Sequence, residues 1–172
     1  MRYVDGFVFF WGDWPSNWYK SPFVVDGVSY NCGEQWMMAC KARMFGDDDV
    51  LARIMATPNP RSQKALGRTV RNFDDATWKA TARDVVYVGL LAKFDQNPVL
   101  RAHLLATGTD MLVEASPHDT LWGIGLDMNH PDVTNPEKWR GQNWLGDVLM
   151  AVRNTLRQRD TKRLTQGTHL GV

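Results

Sequence analysis

The sequence predicts one α+β domain that is mostly α-helical and has a few short strands. Apolar residues recur at helical spacing in several segments, and short aromatic and β-branched runs stand near the N-terminus. No linker or internal repeat divides the 172 residues, of which 44% are hydrophobic and 23% charged, as is ordinary for a globular protein. We expect the domain to span residues 1–156, followed by a polar, frayed tail over 157–172.

The first part of the chain is expected to form short strands and then a helix. Residues 7–10, Phe-Val-Phe-Phe, predict a strand. Residues 23–30 predict a β-hairpin, because the turn pair Asp26-Gly27 separates two apolar runs. A helix over 34–45 follows, and the glycine after it is the expected cap.

Helices are expected to dominate the remainder of the chain. Acidic residues at 47–49 are suited to the start of a second helix, because acids are stabilised at a helix N-terminus. Helices are also expected over 60–70 and 74–94, and another begins at 97 and ends at Gly108. A strand over 111–115, a loop over 116–142 and a helix over 145–156 complete the domain. A loop of that length in a compact domain tends to be functional.

The composition argues against several classes of protein. A formal net charge of +1 gives no overall attraction to nucleic acid or to an anionic membrane. No apolar run approaches the length of a transmembrane helix, and the N-terminus does not resemble a signal peptide. The two cysteines lack metal-type spacing and predict reduced thiols, so we expect a cytoplasmic protein. The scattered histidines predict no metal site, and the sequence carries no signal for an oligomeric state.

An acid and an amine, Glu34 and Lys41, fall in the apolar stripe of the 34–45 helix, whereas the side with Gln35 and Arg43 is more polar. Burying a charge is unfavourable, so the two residues form either a structural ion pair or a reactive site. The sequence leaves both interpretations open. In a reactive site, burial lowers the pKa of Lys41 and yields a neutral nucleophilic amine, while Glu34 transfers protons.

A second group of candidates follows the strand expected over 111–115. Glu114 closes that strand, and Asp119 opens the next loop. Trp122 is followed by Gly123 and Gly125, where the missing side chains let a backbone approach a ligand closely. Core filling by Trp122 and turn formation by Asp119 are the alternative interpretations.

Four basic residues, Arg61, Lys64, Arg68 and Arg71, form a third group. The last three share a predicted helical face, which is either a solvated surface or a phosphate clamp, since arginine forks match phosphate oxygens. Asn143 stands at the start of the last expected helix, where backbone N–H groups bind anions readily. It is therefore either a polar contact to a ligand or a helix cap.

Together these segments resemble the NADAR family of YbiA-like N-glycosidases. The segment 14–19 resembles that family's F-S-N-F/W motif, 33–42 its S-E-H/Q-Y-F/M-Q/M-A-x-K-A helix, and 64–68 its K-x-x-G-R segment. Further similar segments follow in the family's order at 73–78, 93–98, 105–108, 112–116, 119–125 and 141–146. The resemblance departs at Cys32-Gly33 and in the loop over 128–139, and it identifies the domain expected over 1–156 as a NADAR domain with a YbiA-like fold.

The resemblance implies a hydrolase that cleaves the N-glycosyl bond between the exocyclic amine of a base and a phosphorylated ribose. One substrate class is ADP-ribose on guanine in nucleotides or nucleic acid, which we favour because the eight tryptophans and the basic cluster suit a larger substrate. The other is the ribosylaminopyrimidine 5′-phosphates of riboflavin biosynthesis. A non-catalytic module that binds ADP-ribose or a nucleotide is the alternative from another class. No metal or redox cofactor is required.

The resemblance also suggests roles for individual residues. Lys41 would attack C1 of the sugar and form a Schiff base, Glu34 would move protons at C1, and Asp119 or Glu114 would act on the leaving amine or on water. Acid–base catalysis by Glu34 and Asp119 without a covalent step remains open. Three tryptophans are expected to stack on the base, and two basic residues to hold phosphate. The expected substrate-binding residues are Trp18, Lys64, Arg68, Trp78, Glu114, Trp122, Gly123, Gly125 and Asn143.

Overall fold

The computed structural model describes residues 1–167 and confirms an α+β fold in which helices predominate. Among these residues the strands are β1 (Arg2–Val4), β2 (Phe7–Phe10), β3 (Phe23–Val25), β4 (Val28–Tyr30) and β5 (Met111–Glu114). The helices are α1 (Gly33–Met44), α2 (Asp48–Ala56), α3 (Pro60–Gly67), α4 (Asp75–Gln96), α5 (Pro98–Ala106) and α6 (Trp144–Gly167), with a 3₁₀ turn at Pro136–Lys138. No described helix is both long enough and apolar enough to span a bilayer.

The larger sheet has the strand order β1-β2-β5, with β1 antiparallel and β5 parallel to β2. Phe10 at the end of β2 lies opposite Glu114 at the end of β5. The backbone N–H of Ala115 donates to the carbonyl of Phe10 at 2.9 Å, which extends the pairing by one bond. Because the carboxyl ends of parallel strands meet at one edge, the chain segments that follow β2 and β5 emerge side by side.

Helix α1 is buried on nearly all sides, which differs from the one-sided burial expected from the sequence. Gln35, on the side predicted to be more polar, is only 4% exposed. Its side-chain amide donates to the carbonyl of Ile54 at 3.1 Å, so the polar group is satisfied inside the protein. A Cβ added at Gly67 would lie 2.0 Å from Met38 Sδ, and one at Gly89 would lie 2.2 Å from Trp36 Cδ1. Glycine in α3 and α4 therefore lets both helices approach α1 closely.

Two short hairpins have the same pair of turn residues, Asp-Gly, and only one of them was expected from the sequence. The expected hairpin of β3 and β4 has positive φ at Asp26 and Gly27, which matches the right-handed twist of paired strands. Strand β1 was not predicted, although Asp5 and Gly6 between β1 and β2 also have positive φ. Three residues are too few to show a convincing apolar alternation in the sequence.

Helix boundaries follow local capping interactions. Asp74 caps α4 by accepting from the backbone N–H of Thr77 at 2.7 Å, as the sequence suggested. Helix α3 ends at Gly67 rather than near residue 70, because the backbone N–H of Arg68 turns back to carbonyls of the last turn. Both ends are set by hydrogen bonds that hydrophobic periodicity does not reveal.

The last helix continues well beyond the predicted end at residue 156. Its continuation is tied to neighbouring helices, since Arg159 pairs with Asp95 of α4 at 2.9 Å and Asp160 pairs with Arg101 of α5 at 2.6 Å. Residues 157–167 of the predicted frayed tail are thus helical, and residues 168–172 lie outside the described part of the chain.

Candidate active site

A cavity of about 270 Å³ lies where the segments that follow β2 and β5 face helix α3. The side of β2 contributes an aromatic rim, α3 contributes basic side chains, and the side of β5 contributes carboxyl groups. The lining residues are Trp11, Gly12, Ser16, Trp18, Arg61, Lys64, Glu114, Ser116, His118 and Asp119. Four residues predicted from the sequence, Trp18, Lys64, Glu114 and Asp119, are thereby brought together.

Glu34 lies in the first turn of α1, next to this cavity, and is 2% exposed. The indole N–H of Trp18, which lines the cavity, donates to Glu34 Oε2 at 3.2 Å. The other oxygen, Oε1, is buried and has no hydrogen-bond partner among the described residues. Burial raises the pKa of Glu34 to about 7, against the opposing influence of the positive charge on Lys64. The carboxyl group can therefore hold and release a proton near neutral pH.

Glu114 is the last residue of β5, and its side chain reaches the cavity. Burial, followed by the negative charge of Asp119, raises the pKa of Glu114 to about 8. Its backbone N–H donates to Asn143 Oδ1 at 3.0 Å, which fixes the end of the strand. A protonated carboxyl group on a fixed backbone is suited to donating a proton to a leaving group.

Asp119 forms a turn and also lines the cavity, so both interpretations that the sequence left open apply to it. Its Oδ1 accepts from the backbone N–H groups of Leu121 at 3.0 Å and Trp122 at 2.8 Å, as a turn-forming aspartate does. Its Oδ2 lies 3.7 Å from Lys64 Nζ at the cavity. Lys64 Nζ is also 5.9 Å from the centre of the Trp18 ring. The carboxylate, the amine and the indole thus form one side of the cavity.

Lys41 is 9% exposed but does not line the cavity, and no ion pair within 4.0 Å joins it to Glu34. Its Nζ lies over the ring of Phe73, 3.9 Å from the ring centre. Burial lowers the pKa of Lys41, while Asp75 and Glu34 act in the opposite direction. Among the described residues, Glu34 and Lys41 do not form the structural ion pair that the sequence left open. The pKa of Lys41 is lowered, which is the direction expected for a reactive amine.

The basic residues of the third group do not stay together. Lys64 and Arg61 line the cavity, whereas Arg68 is exposed after the end of α3 and its charge acts on both Glu34 and Lys41. Arg71 instead binds Asp47, with Nη2 2.9 Å from Oδ1. The shared helical face predicted for Lys64, Arg68 and Arg71 is wrong, because α3 ends before Arg71.

Several predicted binding residues make contacts inside the domain and do not line the cavity. Trp78 is 6% exposed in the main hydrophobic core. Trp122 packs edge-on against Trp144, with ring centres 5.7 Å apart. The side chain of Asn143 bonds the backbone of β5 through Oδ1 and also through Nδ2, which donates to the carbonyl of Leu112 at 2.9 Å. Trp122 thus matches the core-filling alternative, whereas the side chain of Asn143 bonds β5 and matches neither the ligand contact nor the helix cap expected from the sequence.

The two glycines after Trp122 are also explained by packing. A Cβ at Gly123 would lie 2.9 Å from the carbonyl oxygen of Glu114. Gly125 has φ +68°, and a Cβ there would lie 2.9 Å from Arg140 Cβ. The loop needs glycine at both positions to fold against β5 and its own later segment.

Trp11, Ser116 and His118 line the cavity but were not expected from the sequence. Trp11 is 47% exposed, and its ring centre lies 6.0 Å from that of His118. The signal was their position directly after the two strands, but using it requires knowing that β2 and β5 are parallel neighbours. Within residues 1–167, no group of three or more His, Cys, Asp or Glu side chains is placed to hold a metal ion.

Comparison with known proteins assigns this chain to a family. Residues 9–157 match the NADAR domain family. N-glycosidase R617 of Acanthamoeba polyphaga mimivirus is 44% identical over 131 residues, which are 76% of this chain and 77% of that protein. N-glycosidase YbiA of Escherichia coli is 32% identical over 146 residues, covering 85% of this chain and 82% of that protein.

A plant relative and a solved structure extend the comparison. Riboflavin biosynthesis protein PYRR, chloroplastic, of Zea mays is 33% identical over 112 residues, which are 63% of this chain and 16% of that protein. The NMR structure of E. coli YbiA aligns with a TM-score of 0.75 at 29% identity, covering 90% of this chain and 87% of that one. The resemblance noted in the sequence and the fold that it implied are both confirmed. The chain therefore belongs to the NADAR domain family.

Proposed function

We propose that this protein is an N-glycosidase that hydrolyses the bond between the exocyclic amine of a base and C1 of a phosphorylated ribose. One observation carries the proposal: a cavity wall in which Glu114 and Asp119 accompany Lys64, with Glu34 directly behind Trp18. The names of R617 and YbiA, both N-glycosidases, support the same reaction class.

The carboxyl groups supply the acid and base that this reaction needs. A base amine leaves readily only when it is protonated, and Glu114, whose pKa is about 8, holds a proton at neutral pH. Asp119 accepts a proton from the attacking water, and its negative charge faces the positive charge that develops at C1. Glu34, whose pKa is about 7, lies behind Trp18 and exchanges a proton with the sugar through a bridging water.

A covalent route through Lys41 is the second form of the mechanism. The neutral amine adds to C1 of the ring-opened imine, the base amine leaves with a proton from Glu114, and a C1=N bond to Lys41 results. Water adds to this bond and releases the sugar aldehyde and the free amine. The lowered pKa of Lys41 favours the neutral form, and the route requires its side chain to leave the Phe73 ring.

The Lys41→Arg variant separates the two forms of the mechanism. Arginine keeps the charge but forms no imine under these conditions, so loss of turnover together with a borohydride-trapped adduct in the unmodified protein supports the covalent route. Turnover that survives in Lys41→Arg, with no trapped adduct, supports acid–base catalysis alone.

Removal of ADP-ribose from guanine is the first substrate class that we propose. Arg61 and Lys64 line the cavity, and their guanidinium and ammonium groups suit phosphate oxygens. The indoles of Trp11 and Trp18 are 47% and 38% exposed and offer faces on which a guanine ring stacks. Arg68, exposed beyond α3, offers a further contact for a second phosphate.

Hydrolysis of riboflavin-pathway intermediates is the second candidate. It is favoured by the name of the maize relative and by the cavity volume of about 270 Å³, just below the roughly 300–1,000 Å³ typical of ligand sites. A single ribose 5-phosphate with a pyrimidine needs less enclosed space than ADP-ribose with guanine.

One assay tests the function and ranks the substrates. The protein is incubated with ADP-ribosylated guanosine and, separately, with a ribosylaminopyrimidine 5′-phosphate, and the released base is followed by mass spectrometry. Release from either compound supports the N-glycosidase, and the larger kcat/KM identifies the substrate class. Tight binding of ADP-ribosylated guanosine without release of guanosine would instead support a non-catalytic binding module.

A further inference from the structure

Lys93 of α4 is a charged side chain for which the proposed reaction has no use, yet it is 0% exposed. Its Nζ donates to the carbonyl of Trp14 at 3.0 Å and to the carbonyl of Ser16 at 2.9 Å. Among the described residues, no carboxylate lies within 4.0 Å of this amine. A buried lysine without a counter-ion is costly, so its two backbone contacts require an explanation.

The two carbonyls belong to the segment 13–19, which carries the aromatic wall of the cavity. Within it, Ser16 Oγ accepts from the backbone N–H of Trp18 at 3.1 Å. The carbonyl of Asn17 accepts from the backbone N–H of Glu34 at 2.9 Å, and the Trp18 indole donates to the Glu34 carboxyl. The amine of Lys93 is thus connected to Glu34 through three consecutive residues of one segment.

We infer that Lys93 is a positioning residue of the active site, because its buried amine holds the backbone of segment 13–19 where the Trp18 indole meets Glu34. The inference rests on the role proposed for Glu34, but it concerns a residue outside the cavity. Lys93 acts through Trp18 and touches neither Glu34 nor the cavity.

The amine performs this role in either protonation state. An ammonium group has three N–H donors and a neutral amine has two, and the two carbonyls need two donors. Burial lowers the pKa of Lys93 to about 7, so both states occur near neutral pH and both satisfy the segment. Methionine at this position would fill a similar volume but would leave two buried carbonyls without a donor.

The test measures the titration of the Glu34 carboxyl directly, by carbon-13 NMR of labelled protein, and so needs no substrate. The Trp18 hydrogen bond favours the ionised carboxyl, so Trp18→Phe is expected to raise the midpoint of the Glu34 titration by roughly half a pH unit or more. Lys93→Met is expected to raise the midpoint in the same direction, because the indole loses its position.

The double variant Trp18→Phe with Lys93→Met shows whether Lys93 affects Glu34 through the Trp18 indole. If Lys93 acts through the indole, the double variant titrates as Trp18→Phe does. A purely electrostatic effect of the lost charge would instead add to the effect of Trp18→Phe and would overturn the inference, as would an unchanged Glu34 titration in folded Lys93→Met.

Two further variants separate positioning from general destabilisation. Leu104→Ala removes core contacts at a fully buried site in α5 and is expected to lower stability without changing the Glu34 titration. Lys93→Leu also removes the donor and carries the same test should Lys93→Met fail to fold; an unchanged Glu34 midpoint there would also overturn the inference. If the titrations behave as expected while neither substrate is hydrolysed, the proposed function fails and the positioning role stands.

Discussion

At Glu34, burial and hydrogen bonding act in opposite directions on one carboxyl group. Burial raises its pKa and leaves Oε1 without a partner, while the indole of Trp18 stabilises the ionised form. A residue placed purely for stability would have its second oxygen satisfied or its charge paired. Glu34 and Glu114 instead combine burial with raised pKa values beside a cavity, a combination typical of groups that exchange protons.

Glu34→Gln is expected to stabilise the protein at pH 8. Because the pKa of Glu34 is higher in the folded than in the unfolded protein, ionisation of Glu34 lowers the free energy of unfolding. This destabilisation is absent below about pH 4.5, grows as the pH rises, and is complete above about pH 7. The change from 4.5 to about 7 corresponds to roughly 3 kcal/mol, which the neutral amide avoids. Urea unfolding at pH 8 and pH 4 measures the gain, which should be small at pH 4. A loss of stability at pH 8 would contradict this prediction and would show that the Glu34 carboxylate stabilises the fold.

At the scale of elements, local sequence signals predicted most of what the fold contains. The strand at 7–10, the hairpin around Asp26-Gly27 and the cap at Asp74 are encoded by neighbouring residues, and all three are confirmed. The parallel pairing of β2 with β5 is not local, because about 100 residues separate the two strands. Trp11 and His118 could not be placed at one cavity without that pairing.

The burial of the polar side of α1 and the length of α6 differ from the expectation for a physical reason. Gln35 is buried because the carbonyl of Ile54 satisfies its amide, and α6 continues past residue 156 because Asp95 and Arg101 pair with it. Each partner lies on a different element, so neither contact is visible in the hydrophobic pattern of a single segment. The sequence therefore singled out Glu114, Asp119 and Lys64, which line the cavity, but not the contacts between elements that bury Gln35 and extend α6.

Asn143→Ala tests the connection between β5 and α6. The variant loses the bonds to Glu114 N and Leu112 O, and alanine is strained at the φ of +54° found here, so we expect a loss of about 3 kcal/mol in unfolding free energy. Asn143→Asp keeps the acceptor for Glu114 N and is the matched control, with a smaller loss expected. Unchanged stability with a raised KM would instead return Asn143 to substrate binding.

At the scale of the whole molecule, the site is assembled from three distant parts of one domain. The sheet edge supplies the segments after β2 and β5, α3 supplies the basic side chains, and the buried helix α1 supplies Glu34. A second, smaller core formed by Phe9, Val113 and residues of the 116–142 loop anchors that loop on the sheet. The long loop is thus a packed part of the domain with its own buried residues.

Ending the chain after residue 156 tests how much the continued helix contributes. The shortened protein loses the pairs of Arg159 and Asp160 with Asp95 and Arg101. Such partly exposed pairs contribute little individually, so we expect a decrease of about 1–2 kcal/mol in unfolding free energy and an unchanged Glu34 titration. Complete unfolding of the shortened chain would show that the helix beyond residue 156 is an obligatory part of the domain.

The pH dependence of base release, measured for the unmodified protein and for Glu114→Gln, tests the central claim most directly. If Glu114 protonates the leaving amine, the rate of the unmodified protein falls as the pH rises through about 8, where Glu114 loses its proton. Glu114→Gln is then expected to be about 100-fold slower or more and to lack this decline. A variant that releases the base at the unmodified rate, with the same decline above pH 8, would contradict the account.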